Sequence, residues 1–221
     1  MSDGSLRMTR DAYIPAIVSG PYCSGWSMAG IQVTAATVPG FSIFGGSGAA
    51  RTITVSGLSS VDAGVVLTQL AAPPGTPNSI AMCYQFARGT VSSPTSLTFT
   101  RGGGILFGTC DNYSSGDISY QRVDFGPRAS VQQHLVTIPH ALATQTVTLN
   151  PAVDPSRTLV FFSGMTTSGL ATGETGDRAS GNDRINHVVA TAALLSGNQV
   201  LVSRQEALEP AQYTLFVVEF R

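Results

Sequence analysis

ISYQRVDF, residues 118–125, and YTLFVVEF, residues 213–220, carry one pattern: an aromatic residue, recurring apolar positions, an acid and a closing Phe. Runs this short and this rich in Val, Ile, Tyr and Phe read as strands bounded by turns. Their match points to an internal repeat, which has to be recognised before a fold is named.

Each closing run is preceded by five others. The first half holds TITVSG from Thr52, GVVLTQLA from Gly64, SIAMCYQFA from Ser79, TSLTFTR from Thr95 and GILFGTC from Gly104. The second holds HLVTIPH from His134, TQTVTLN from Thr144, RTLVFFSG from Arg157, HVVATAALL from His187 and QVLVSRQ from Gln199. SIAMCYQFA and RTLVFFSG follow the Pro-bearing turns APPGTPN and NPAVDPS and are matched on that ground. The extra length of the second half is then assigned to an insert ending at Asn186. In TQTVTLN and SLTFTR, Thr and Gln alternate with Val, Leu and Phe, as in strands with one wet and one buried face. Short strands separated by Gly and Pro turns indicate an antiparallel sandwich or barrel, not a βαβ fold. The expected fold is all-β: two tandem antiparallel β-sandwich, jelly-roll-like units over residues 51–128 and 129–221, preceded by an extended N-terminal arm over 1–50.

The first fifty residues are punctuated by glycine and offer no convincing strand pair. They nevertheless hold Tyr13, Tyr22, Trp26, Phe41 and Phe44, too many aromatic residues for a solvated linker. These five are the candidates for docking the arm on a neighbouring molecule.

Composition points the same way. Hydrophobic residues make up 43% of the chain and charged residues only 11%, against roughly 25% in ordinary soluble domains. A surface of Ser, Thr and Gly with so little charge suits a subunit packed among copies of itself. All 12 basic residues are Arg, scattered singly, and the net charge is −1, so no attraction to nucleic acid or to anionic membranes is expected. The start MSDGSLRMTRDAY lacks a basic, then apolar leader, and no apolar stretch approaches the roughly 18 residues of a membrane span. The expectation is synthesis in the cytoplasm. Cys23, Cys83 and Cys110 form no CxxC pair and read as small buried thiols.

Chemistry is hard to place. A hydroxyl or thiol nucleophile needs a His in reach and a group to orient it. Ser47, in GGSGA, lacks the strand–turn–helix setting of a nucleophile elbow. His134 and His187 stand at strand starts, where a structural role is expected. The acids, among them Asp62, Asp111, Asp117 and Asp154, fall mostly in turns and single out no pair for glycoside cleavage. No catalytic, cofactor-binding or metal-binding residue is assigned, and the chain is expected not to be an enzyme. The polar stretch TSGLATGETGDRASGNDRIN, residues 167–186, lacks the ligand spacing of a calcium loop. Its Arg178 and Arg184, beside Asp177 and Asp183, are read as intersubunit ion pairs, and with Glu174 they form the candidate intersubunit or ligand loop.

TQTVTLNPAVDPSRTLVFFSG, followed by a polar loop, a middle strand and QVLVSRQEALEPAQYTLFVVEF, resembles β-rich virion structural proteins of tailed bacteriophages. The resemblance covers about residues 131–221 and reaches the first unit only through the repeat. It implies a tail, collar, head-fibre or capsid decoration protein, made in the bacterial host cytoplasm and residing in the virion. Expected partners are the chain itself, as a homo-oligomer and most simply a trimer, and other virion proteins. The alternative is a carbohydrate-binding, receptor-recognition module directed at host surface glycan. Trp26, the sole tryptophan, lies outside both units, and Tyr113 has no counterpart in the second, which disfavours a duplicated sugar site.

Overall fold

The computed structural model describes residues 26–28, 31–41, 50–55, 57–71, 86–101, 116–167, 188–207 and 210–221. Among them the regular elements are strands and three short 3-10 turns, and every strand pairing is antiparallel. The fold is all-β and built of β-sandwich units, as the strand-and-turn vocabulary of the sequence led one to expect.

Sheet I contains β1 (Trp26–Met28), β2 (Ile31–Phe41), β7 (Gly116–Asp124) and β4 (Gly64–Ala71), in that order. Sheet II is β3 (Ala50–Thr54), β6 (Ser96–Arg101) and β5 (Ala87–Ser93). Sheet III is β8 (Ala129–Ile138), β13 (Ala211–Phe220) and β10 (Thr158–Thr167). Sheet IV is β9 (Thr144–Thr148), β12 (Gln199–Arg204) and β11 (Ala190–Ser196).

The repeat extends to the register. Strands β2 to β7 recur as β8 to β13 with the same neighbours. Gly64 lies opposite Asp124 in the first repeat, and Thr158 lies opposite Glu219 in the second. Thr54 pairs with Ser96 as Thr148 pairs with Gln199. Both outer hairpins slip at the same place, between Val91 and Ser93 and between Leu194 and Ser196. Outside the sheets, the Val55 N–H donates to the Thr95 carbonyl and the Leu149 N–H to the Asn198 carbonyl, each at 2.9 Å. The acid-plus-Phe ending that marked the closing strands thus occupies one structural position twice.

Three expectations need correction. The first unit does not start at residue 51, because Ile31–Phe41, expected in the arm, is a strand paired with β7 from Gln32↔Asp124 onward. IQVTAATV alternates polar and apolar residues, and Pro39 and Gly40 fall where the β2–β7 register shifts between Val38 and Phe41, which is where a strand tolerates them. The equivalence is also one strand out of phase: RTLVFFSG (β10) corresponds to GVVLTQLA (β4), not to SIAMCYQFA. NPAVDPS leads into the 3-10 turn Pro155–Arg157 before β10, whereas APPGTPN lies outside the described residues. Finally, residues 31–124 and 129–220 are spans of nearly equal length, which leaves no net insertion to explain. SIAMCYQFA up to Gln85, and all of GILFGTC, lie outside the described residues.

The repeats do not keep separate cores. Alternate side chains of β13 point to opposite faces of sheet III. Tyr213, Leu215 and Val217 enter a core shared with Val200 and Val202 of sheet IV. Phe216 and Val218 join Leu97, Phe99, Ile118 and Tyr120 in the core of the first repeat. Sheet III therefore closes the first sandwich along the free edges of β4 and β5. Its apolar residues, at roughly 1.5–3 kcal/mol for each large side chain withdrawn from water, bind the halves into one body.

Candidate functional site

Most residues singled out from sequence lie outside the described residues: Tyr13, Tyr22 and Phe44 of the arm, and Glu174, Asp177, Arg178, Asp183 and Arg184 of the polar loop. The other two arm candidates belong to sheet I. Trp26 sits opposite Val33 in β1 and Phe41 opposite Gly116 in β2.

The described surface does contain a groove of about 660 Å³ where the repeats meet. Gln132, Gln133 and His134 of the edge strand β8 line it together with Asp62, Asn150 and Pro151. Adjacent residues of a strand face opposite ways, and the two glutamines use this to hold two different elements. The Gln132 side-chain amide donates to the Pro151 carbonyl at 2.7 Å and accepts from the Asn150 N–H at 3.2 Å. Gln133 accepts from the Val91 N–H at 2.8 Å and donates to the Val91 carbonyl at 3.4 Å. Sequence reading passed over this pair, although QQ in the middle of a strand is the available signal.

His134 Nε2 is buried and has no hydrogen-bond partner among the described residues. Burial pushes its imidazole below the usual His range, so it is neutral at neutral pH. A nucleophile-activating His would hold a hydroxyl or thiol in a hydrogen bond, and no such bond is made at Nε2.

The acids at the repeat ends have structural work. Asp124 accepts from the Ser59 N–H at 2.7 Å, the Ser59 hydroxyl at 2.6 Å and the Gly126 N–H at 2.9 Å. Burial alone would raise this carboxyl, but those hydrogen bonds and the Arg122 charge outweigh it and hold it below the usual carboxylate range. Its counterpart Glu219 accepts from the Asp154 N–H at 2.9 Å and lies 3.5 Å from Arg157. Asp154 in turn caps the 3-10 turn Pro155–Arg157 through the Ser156 N–H at 2.9 Å. Its carboxyl is lowered first by the Ser156 hydroxyl and then by that N–H.

Among the described residues no three His, Cys, Asp or Glu side chains are grouped to hold a metal ion, and no helix is long and apolar enough to cross a membrane. No protein-family model matches the chain, and no curated protein and no solved structure matches it either.

Proposed function

We propose that the chain is a structural subunit that works packed among copies of itself, and that it is a component of a tailed-phage virion of the tail, collar, head-fibre or decoration type. The observation that carries the subunit reading is the distribution of exposed apolar side chains. Leu159, Val189 and Leu195 are three of the six large exposed apolar residues among those described, and each lies on or directly before one of the two edge strands β10 and β11. Such an edge is a liability in a free monomer and an asset in an assembly. The virion assignment rests on the sequence resemblance.

The carbohydrate-binding alternative draws less support. The groove lining contains no Trp, Tyr or Phe on which a sugar ring would stack, and the amides of Gln132 and Gln133 are engaged within the protein.

The test is to induce phage from the strain that encodes the chain, purify particles on a density gradient and identify their proteins by mass spectrometry. The chain is expected in the particle band at a stoichiometric level. Recovery only from the particle-free supernatant overturns the virion assignment.

A further inference from the structure

Matched registers allow each surface position of one repeat to be compared with its counterpart in the other. In the first repeat the free edges of β4 and β5 are covered by the outer face of sheet III. There Ser163 accepts the Gly89 N–H at 3.2 Å, Gln133 clasps Val91, and Phe86 packs against the second core. The corresponding strands of the second repeat are β10 and β11, the edges of sheets III and IV.

The counterparts differ systematically in exposure. Val65 is 1% exposed, whereas Leu159, at the same register position, is 45% exposed. Val66 is fully buried and Val160 only partly so. Val91 is 7% exposed, while Leu194 is half-buried. Phe86 is half-buried against the other repeat, and Val189, in its place, is 42% exposed. The second repeat thus presents the apolar edge that the first has covered.

We propose that this β10–β11 edge is an interface, and that its occupant is the outer face of sheet I from a second copy of the chain. Resting on the assembly-subunit reading above, the inference names the surface and the step. Inside one chain, an edge of repeat one meets the outer face of repeat two's inner-strand sheet. Between chains, the edge of repeat two meets the outer face of the equivalent sheet in repeat one. Leu67 and Gln121 of that face stand where Phe161 and Phe216 stand in sheet III, and both are half-buried. Leu67 supplies apolar surface, and Gln121 an amide. Such a contact joins two different surfaces, so it builds a ring if its rotation closes and a filament if it does not. A trimeric ring would contain six repeats joined by six like contacts.

The experiment combines sedimentation velocity with cross-linking of the full chain. Leu159→Glu with Val189→Glu is expected to raise the apparent dissociation constant of the oligomer at least tenfold, while Leu142→Glu, at an exposed site away from this edge, leaves it unchanged. Should the double variant not fold, Leu195→Glu takes its place, since Leu195 is 56% exposed and its counterpart Ser92 is already polar and exposed. A chain carrying Gln121→Cys and Leu195→Cys, treated with a short bismaleimide and mapped by peptide mass spectrometry, is expected to give 121–195 links between chains. An oligomer indifferent to the edge variants, or one linked 195 to 195, overturns the proposed interface and leaves the assembly reading standing. A wild-type chain that is monomeric at every concentration and absent from particles overturns both.

Discussion

The side chain of Gln133 meets the backbone of Val91 on both sides, accepting from its N–H at 2.8 Å and donating to its carbonyl at 3.4 Å. An amide side chain from the second repeat thereby does for the free edge of β5 what a neighbouring strand would do. Gln133→Leu is expected to lower stability by about 1 kcal/mol, read as a reduced urea midpoint with an unchanged slope. An unmoved midpoint would mean that apolar contact alone seals this junction.

Gly164 tests the closeness of the repeats more severely. Its φ is +147°, and a Cβ placed there would collide with the Ala87 carbonyl of the first repeat. Gly164→Ala is expected to cost about 2–5 kcal/mol from strain and overpacking together. Gly57→Ala is the control, its Cβ meeting nothing nearer than Thr95 at 4.0 Å. Equal melting temperatures for the two variants would refute the tight junction.

Tyr213 is fully buried and donates its hydroxyl to the Val188 carbonyl at 2.6 Å. Burial pushes its phenol up from 10.0 to about 12. The unfolded chain therefore releases this proton first, so the associated stability is fully present below pH 10 and is lost as pH rises through about 12. The loss is of order 2–3 kcal/mol. Tyr213→Phe is expected to flatten the stability profile over that window, at a cost of about 1 kcal/mol at neutral pH. A profile as steep as wild type would place the alkaline transition elsewhere.

His134 gives the opposite limb. Its pKa is lowered by burial from 6.5, so the unfolded chain takes up a proton that the folded chain resists. The stability it contributes is present above pH 6.5 and drains away as pH falls through the lowered value. His134→Gln is expected to reduce the drop in melting temperature between pH 7 and pH 5. If the two proteins respond alike, the imidazole is not excluded from water.

The sequence revealed strands better than it revealed their company. GVVLTQLA coincides with β4, and the runs from Thr144, Gln199 and Tyr213 fall within one or two residues of β9, β12 and β13, because period-two patterning and turn residues are local properties. The acid-plus-Phe endings were legible for a further reason: Asp124 and Glu219 each hold the loop that leads into the neighbouring strand. β2 was hidden because its Ala and Thr residues and its Pro-Gly step resemble linker composition. The shared core was written in YTLFVVEF and overlooked there. That run barely alternates, as befits a strand covered on both faces, whereas TQTVT of β9 alternates cleanly. Arg122 inverted the usual rule, since it is 2% exposed in a strand position that Val217 fills in the other repeat. The groove along β8 escaped notice because its walls come from segments distant in the chain, which no local pattern brings together.

The place of β13 fixes an order of events. A chain is made from its amino end, and β13 emerges after the twelve other strands described. Phe216 and Val218 complete one core from this strand, and Tyr213, Leu215 and Val217 complete the other. Both cores therefore stay incomplete until the same ten residues have left the ribosome. A nascent chain released before that point lacks the wedge for both halves at once, so a single truncation removes part of each core.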